Sequence, residues 1–457
     1  MSQTHTMIGL ETHVYVNTKS KLFCSCATSG EQPNEATCPI CLGFPGSKPS
    51  LNAKAVQLTI QTGLALNSKI ASYVEFSRKI YYYPDLAKNF QITQYDNPIA
   101  LGGSLQVGDF TVQLTRAHLE EDPAKIVHKG GSMSNSKASL LDFNRSGSPL
   151  IEIVTEPCFT TAKQAREYLG ELFRLLAYLE IVDAKSDAVM KTDVNVSIPG
   201  GVRVEIKNVT GFANVERAVN GEINRQTALV NMGYKVEKET RVFDAETGTS
   251  TSIRKKESEE EYAYINEPDI PRIELTQEYI ESVRKTMPVM PKERIRLLIV
   301  NYSLNAQIAK SLVDFPGMAT YFESLSVRFA DKQLLARWLA NDVAKSLNYQ
   351  GIEKLTENTL SQKDFLQFLD KIATGEMQER QAKEEIKKLI AGEKLTLASL
   401  VNEDEIINEV IKENGKAVTD YKAGNEKVLE FLIGQVMKKS QAQIKVETAR
   451  EKLKSKI

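Results

Sequence analysis

Proline, histidine and cysteine all run out well before the chain ends. None of the 15 prolines lies beyond Pro316, none of the four histidines beyond His128, and none of the five cysteines beyond Cys158. The C-terminal third therefore offers neither thiolate nor imidazole, and metal or acid–base chemistry using them belongs to the N-terminal part. Also missing is an apolar run near the roughly 20 residues that span a bilayer. The opening residues MSQTHTMIGLETH lack the basic start and apolar core of a secretory signal. These absences predict a cytoplasmic protein with no membrane partner.

There is no excess of either charge. Lys and Arg number 58, Asp and Glu 59, for a formal net charge of −1. A chain that only grips nucleic acid is usually basic, so RNA binding here needs a local patch. Residues Gly434 to Ile457 supply one, with seven Lys/Arg against Glu447 and Glu451. It reads either as an RNA contact or as a solvated helix face. Neither G-x-x-x-x-G-K-[ST] nor a strand-linked G-x-G-x-x-G occurs, so a nucleotide would have to be held without those loops.

The residues that are present divide the chain, with the compositional break at Pro316. The first 290 or so alternate like strands and carry turn signals, and helical material follows to the end; what comes after Pro316 is rich in Lys, Glu, Leu and Ala at helical spacing. The fold class expected is α+β: a large N-terminal domain with a mainly antiparallel sheet and helices, then all-α domains. In GLETHVYV, Glu11, His13 and Tyr15 share one strand face and Leu10, Thr12, Val14 and Val16 the other. In SPLIEIVTEP, Glu152 and Glu156 fall on one face. KTDVNVSI and VRVEIKNV flank Pro199-Gly200-Gly201 and read as a hairpin that puts Asp193, Asn195, Glu205 and Lys207 on one polar face. TAKQAREYLGELFRLLAYLE reads as a helix burying Ala165, Leu169, Leu172, Leu176 and Leu179.

Cys24-x-Cys26 and Cys38-x-x-Cys41 are two close thiol pairs joined by a short loop. That spacing suits a closed tetrahedral shell around structural zinc; disulfides, the other reading, do not fit a reducing compartment. Cys158 has no partner nearby and reads as a small buried residue. Acidic residues recur on strands or at their ends: Glu11, Glu120-Glu121-Asp122, Glu152, Glu156, Asp193 and Glu205. With Asn195 they are hard oxygen donors suited to magnesium, and Arg78, Lys79, Lys88, Lys125 and Lys207 could meet phosphates. Taken alone they could equally be an ordinary polar sheet face. Lys129–Lys137, KGGSMSNSK, reads as a flexible loop; a self-sufficient amidase would instead use Ser132 or Ser134.

IGLETH, RKIYYYPDLAKNFQITQYD, HLEEDPAK, DFNRSGSPLIEIVTEP, TDVNVS, EIKNV, ETRVFD and NEPDI follow in that order. Together they resemble the B subunits of the Asp/Glu-tRNA(Asn/Gln) amidotransferases, and DYKAGNEKVLEFLIGQVMKKS resembles that family's tail domain. The resemblance implies a cradle domain over residues 1–290 that holds ATP, Mg²⁺ and structural Zn²⁺. It implies a helical domain over 291–350 and a tRNA-binding tail over 351–457. It implies a glutaminase A subunit and a small C subunit as partners in a heterotrimer, and mischarged tRNA(Gln) or tRNA(Asn) as substrate. Its metal and catalytic motifs fall on Glu11, His13, Glu120, Glu121 and Glu152, with Glu11, His13, Glu121 and Glu152 as magnesium ligands. The other reading is a zinc-stabilised tRNA scaffold without chemistry, which would gain nothing from an acidic pocket.

Overall fold

The computed structural model describes residues 5–129, 137–183, 190–255, 262–393, 403–440, 444 and 446–457. The chain divides into two compact units, Met1–Met290 and Pro291–Ile457.

The first unit is built on a ten-stranded sheet. Five neighbouring strands carry the polar face that matters below. They are β1 (Met7–Tyr15), β2 (Phe110–Glu121), β3 (Pro149–Thr155), β4 (Met190–Ser197) and β5 (Val204–Thr210). Across the sheet they run β5-β4-β1-β3-β2, each antiparallel to its neighbour. Beyond β5, Glu239–Asp244 pairs in parallel and Thr249–Lys255 closes that side.

Alternation along the strands sorts the side chains as expected of a half-buried sheet. Ile8, Leu10, Val14, Leu119, Ile151, Ile153, Val194, Val196 and Ile206 are all at most 1% exposed and form one continuous core. Helices α1 (Ala53–Ala65), α2 (Ala162–Tyr178) and α3 (Phe212–Asn231) supply the apolar residues that complete that core. On α2, Ala165, Leu169, Leu172 and Leu176 are fully buried, with Leu179 at the C-cap. Thr161 and Gln164 start that helix with a reciprocal capping box. Asn52 caps α1 through Lys54 and Ala55.

The β4–β5 hairpin forms through the expected turn, with Val194 opposite Ile206 and Asn195 opposite Glu205. A bulge follows Thr192. It brings Asn208, at φ 56°, close enough for its N–H to donate to Asp193 Oδ1 at 2.7 Å.

The second unit is entirely helical among the described residues. Tyr321, Trp338, Phe365 and Phe368 are buried in its first part. Ile407, Val410, Leu429, Leu432, Val436 and Leu453 form a separate cluster near the end. The stretch EDEIINEVIKE is helical over Glu403–Glu413, and VLEFLIGQVMKK over Val428–Lys439. Among the described residues no helix is long and apolar enough to cross a membrane.

Candidate active site

The polar face of the sheet carries two acidic groups side by side. His13 on β1 lies opposite Glu152 on β3, which lies opposite His118 on β2. His13 Nε2 stands 3.3 Å from Glu152 and 3.5 Å from Glu120. One ligand atom from each of these three residues falls within 4.8 Å of the others. Two residues earlier on β1, Glu11 faces Asp193 on β4, and with Glu205 these form a second trio of the same compactness. Two residues along a strand is about 7 Å, so the trios are neighbours.

Buried like charges are costly unless a cation answers them. In the first trio His13 answers: burial opposes its charge, but Glu152 and Glu120 push its pKa up to about 10. Burial works against ionisation of Glu152, yet His118, His13 and Lys79 hold it well below the usual carboxylate range. In the second trio the cation is Lys207, whose Nζ lies 2.7 Å from Asp193 and 2.6 Å from Glu205. Glu11 makes no ion pair among the described residues; burial, then Glu152, push its pKa up against the pull of Lys207. Asn195 Nδ2 donates to Glu11 at 2.9 Å, while its buried Oδ1 has no partner among the described residues. Three carboxylates beside an unpaired amide oxygen are a donor set suited to a hard divalent cation. The first trio has a nitrogen in place of one oxygen.

The remaining expected residues divide. Lys79 is held over the Tyr262 ring at 4.7 Å; burial works against its charge, but Tyr264, then Glu120 and Glu152, raise its pKa. Arg78 turns elsewhere, forking onto Glu267 at 2.8 and 2.9 Å. Lys88 binds Glu121, which is the main departure from the expected ligand set. Glu121 shares strand parity with Ala117 and Leu119, on the core side, and also accepts the Ile92 N–H at 2.9 Å. It joins neither trio. Its neighbour Glu120 faces the site and accepts from Thr93 at 3.1 Å. Glu156 lies past the end of β3, exposed, and accepts from Thr115. Lys125 is exposed on a short hairpin strand. Ser132 and Ser134 lie outside the described residues.

Several contacts emerge only from the geometry. His118 is 3% exposed and 3.8 Å from both Glu120 and Glu152, with no hydrogen-bond partner for its Nδ1 among the described residues. The Tyr15 hydroxyl donates to Asp122, which Arg145 clamps at 2.8 Å. Lys191 reaches Tyr15 at 3.2 Å. Alternation makes Tyr15 legible as a site-facing position; its partners, over 100 residues away, are not.

The four paired cysteines converge, their Sγ atoms within 4.8 Å of one another. A tetrahedral shell with Zn–S bonds of about 2.3 Å sets sulfurs about 3.8 Å apart, so little adjustment is needed. Cys38 and Cys41 Sγ already lie 3.9 Å apart. The Cys41 thiol is held down to about 4 by the Cys24 thiol, the Cys38 backbone and Lys21 against the effect of burial, whereas burial and the Cys38 thiol push Cys26 up to about 11. Cys158 is exposed rather than buried, because it follows Pro157 outside the strand.

Comparison with known proteins places this site in a lineage. Residues 6–281 match the GatB/GatE catalytic domain model and residues 320–457 the GatB domain model. Proteins named as the B subunit of aspartyl/glutamyl-tRNA(Asn/Gln) amidotransferase are similar along nearly the whole chain. The one from Methanosarcina barkeri is 40% identical, covering 97% of this chain and 96% of its own length. That from Saccharolobus solfataricus is 40% identical over 98% and 99%, and that from Sulfurisphaera tokodaii 41% over 95% of each. The first model alone spans more than half the chain, and both lines of similarity carry the same description: the chain belongs to the family of aspartyl/glutamyl-tRNA(Asn/Gln) amidotransferase B subunits.

Proposed function

We propose that this chain activates the side-chain carboxylate of Glu-tRNA(Gln) or Asp-tRNA(Asn) and passes it to ammonia. The observation that carries the reading is the pair of acidic trios on one sheet face, each with a basic residue beside it. A scaffold that only bound RNA would be repelled by such a face.

The reaction runs in two steps. The carboxylate oxygen attacks the γ-phosphorus of ATP; that O–P bond forms, the bond to the β-phosphate oxygen breaks, and ADP leaves. Ammonia then attacks the acyl carbon, a C–N bond forms, and inorganic phosphate leaves with the C–O bonding pair and takes up the proton that the nitrogen gives up. Magnesium, when bound, neutralises phosphate charge and orients the γ-phosphoryl group. His13, on giving up its proton to the incoming ion, with Glu120 and Glu152 would hold one ion, and Glu11, Asp193, Glu205 and Asn195 Oδ1 a second. Lys79 supplies fixed positive charge beside the first trio, and Lys207 beside the second. The work of the protein is positioning and electrostatics rather than a covalent enzyme intermediate.

The four cysteines would hold a structural zinc with no open position. Ammonia would come from a glutaminase A subunit, with a small C subunit completing the heterotrimer. Residues 1–290 form the catalytic cradle in this reading, 291–350 a helical domain, and 351–457 the tail that contacts tRNA, in the cytoplasm. The test is amidation driven by free ammonium salt in the reconstituted complex, on each mischarged tRNA separately. Product on either tRNA supports the proposal; ATP cleavage without amide on both would overturn it.

A further inference from the structure

Lys21 is the one lysine whose side chain is fully buried among the described residues, at 0% exposure. Its Nζ donates to the backbone oxygen of Ala36 at 2.8 Å and of Phe143 at 3.1 Å. The third contact is Cys41 Sγ at 3.5 Å. An ammonium has three hydrogens, and each has one acceptor here. One acceptor lies in the cysteine loop, one in the distant turn at 142–148, and one is a sulfur of the proposed metal centre.

The loop and that turn are otherwise joined by short polar bonds. Ala36 N–H donates to Asn144 Oδ1 at 2.8 Å, Asn144 Nδ2 donates to the Gln32 carbonyl at 2.7 Å, and Ser146 Oγ donates to the Cys41 carbonyl at 3.2 Å. Gly147 keeps φ at 86°, and a β-carbon there would lie 3.6 Å from both Cys41 Cβ and Lys21 Cδ. From the same turn Arg145 reaches Asp122, which the Tyr15 hydroxyl also binds, two residues from His13.

We propose that Lys21 is the outer-sphere partner of the cysteine metal centre, and that through it the bound metal fixes the 142–148 turn and the Arg145–Asp122–Tyr15 link beside the acidic face. The inference rests on the reading that the four cysteines bind zinc. Four thiolates around Zn²⁺ leave a net charge of −2 in a half-buried place, and one ammonium cancels half of it. Outer-sphere partners of this kind orient the ligands and tune affinity. The link works in both directions. Without the metal Cys41 Sγ is no longer held in a four-sulfur shell, so the buried ammonium keeps only the two carbonyls as fixed partners, which weakens its hold on Phe143.

The experiment uses the full-length chain, unmodified and as Lys21→Met and Lys21→Arg. Zinc affinity is read by competition with a chromophoric chelator, and amide hydrogen exchange is followed at 142–148 with and without zinc. Lys21→Met is expected to bind zinc roughly 10–100-fold more weakly, the range for loss of an outer-sphere partner, with Lys21→Arg closer to the unmodified chain. Stripping zinc from the unmodified chain is expected to speed exchange at 142–148, an arm that needs no variant to fold. Unmodified chain that holds no zinc overturns the metal reading and the role of Lys21 together. Zinc held equally well by Lys21→Met overturns the role of Lys21 alone. Unchanged exchange at 142–148 on zinc removal overturns the coupling.

Discussion

Lys207 Nζ lies 2.7 Å from the Asp193 carboxylate, within the acidic trio that Glu11 and Glu205 complete. On the proposed reading, a divalent cation bound by this trio would share the neutralisation of its negative charge with the Lys207 ammonium. Burial opposes the charge on Lys207, but Asp193, Glu205 and Glu11 hold its pKa well above the ordinary lysine range. Lys207→Met should leave three close carboxylates with no cation and cost about 2 kcal/mol, below the usual loss for a broken buried pair because water reaches part of the side chain. Magnesium should restore more stability to Lys207→Met than it adds to the unmodified chain. Thermal melts with and without magnesium read this; equal magnesium shifts for both proteins would argue against a cation site there.

Glu121 and Lys88 make a buried ion pair on the core side of β2, with side chains 6% and 14% exposed. Glu121→Ala leaves a buried ammonium and the Ile92 N–H unanswered, and should destabilise the chain by about 3–5 kcal/mol. A Glu121→Met, Lys88→Met double variant should recover much of that, since neither charge remains buried alone. Chemical denaturation of the three proteins measures it. A double variant no more stable than Glu121→Ala would mean the pair contributes more than mutual neutralisation.

These two residues also show how far a sequence can be read. Period-two alternation makes Glu11, His13 and Glu152 legible as one face, because β1 and β3 are regular there. It cannot choose between the adjacent Glu120 and Glu121. The pairing of β2 with β3 breaks register between Val154 and Thr155, so parity along β2 is not fixed from its start. What settles the matter is Lys88, 33 residues before Glu121. Lys21 is a parallel case: in sequence it is one more lysine in TKSKLFC, and only the fold surrounds it. Glu156 is misplaced when the alternation is extended past the end of its strand.

The zinc reading predicts one zinc per chain after purification without added metal. Cys38→Ser should lose most of it, because three thiolates leave the shell open to water. Elemental analysis decides; full zinc retention by Cys38→Ser would place the metal elsewhere.

The basic C-terminal stretch is less open to RNA than its count of charges implies. Lys439 pairs with Glu409 and Glu413, Arg450 with Glu430, Lys452 with Glu403 and Asp404, and Lys456 with Asp404. Lys438 and Lys454 are exposed and have no ion pair among the described residues. Removing one lysine–phosphate pairing should lower the salt slope of binding by about 0.7–0.9. Lys438→Ala with Lys454→Ala should therefore flatten the salt dependence of tRNA binding more than Arg450→Ala does. Filter binding over a range of salt tests it, and the reverse ranking would show that the internal ion pairs open onto RNA.

The central claim is that carboxylate activation takes place on the acidic face of the sheet. Glu152 sits in that face beside His13 and His118, and Glu152→Gln keeps its shape while removing its charge. The direct measurement is phosphate release from ATP that depends on mischarged tRNA, in the assembled complex, with glutaminase activity followed in parallel. Glu152→Gln is expected to slow phosphate release by at least about a hundredfold, near 2.7 kcal/mol of barrier, while glutaminase activity is retained. Phosphate release at close to the unmodified rate would contradict the account and move the chemistry off this face.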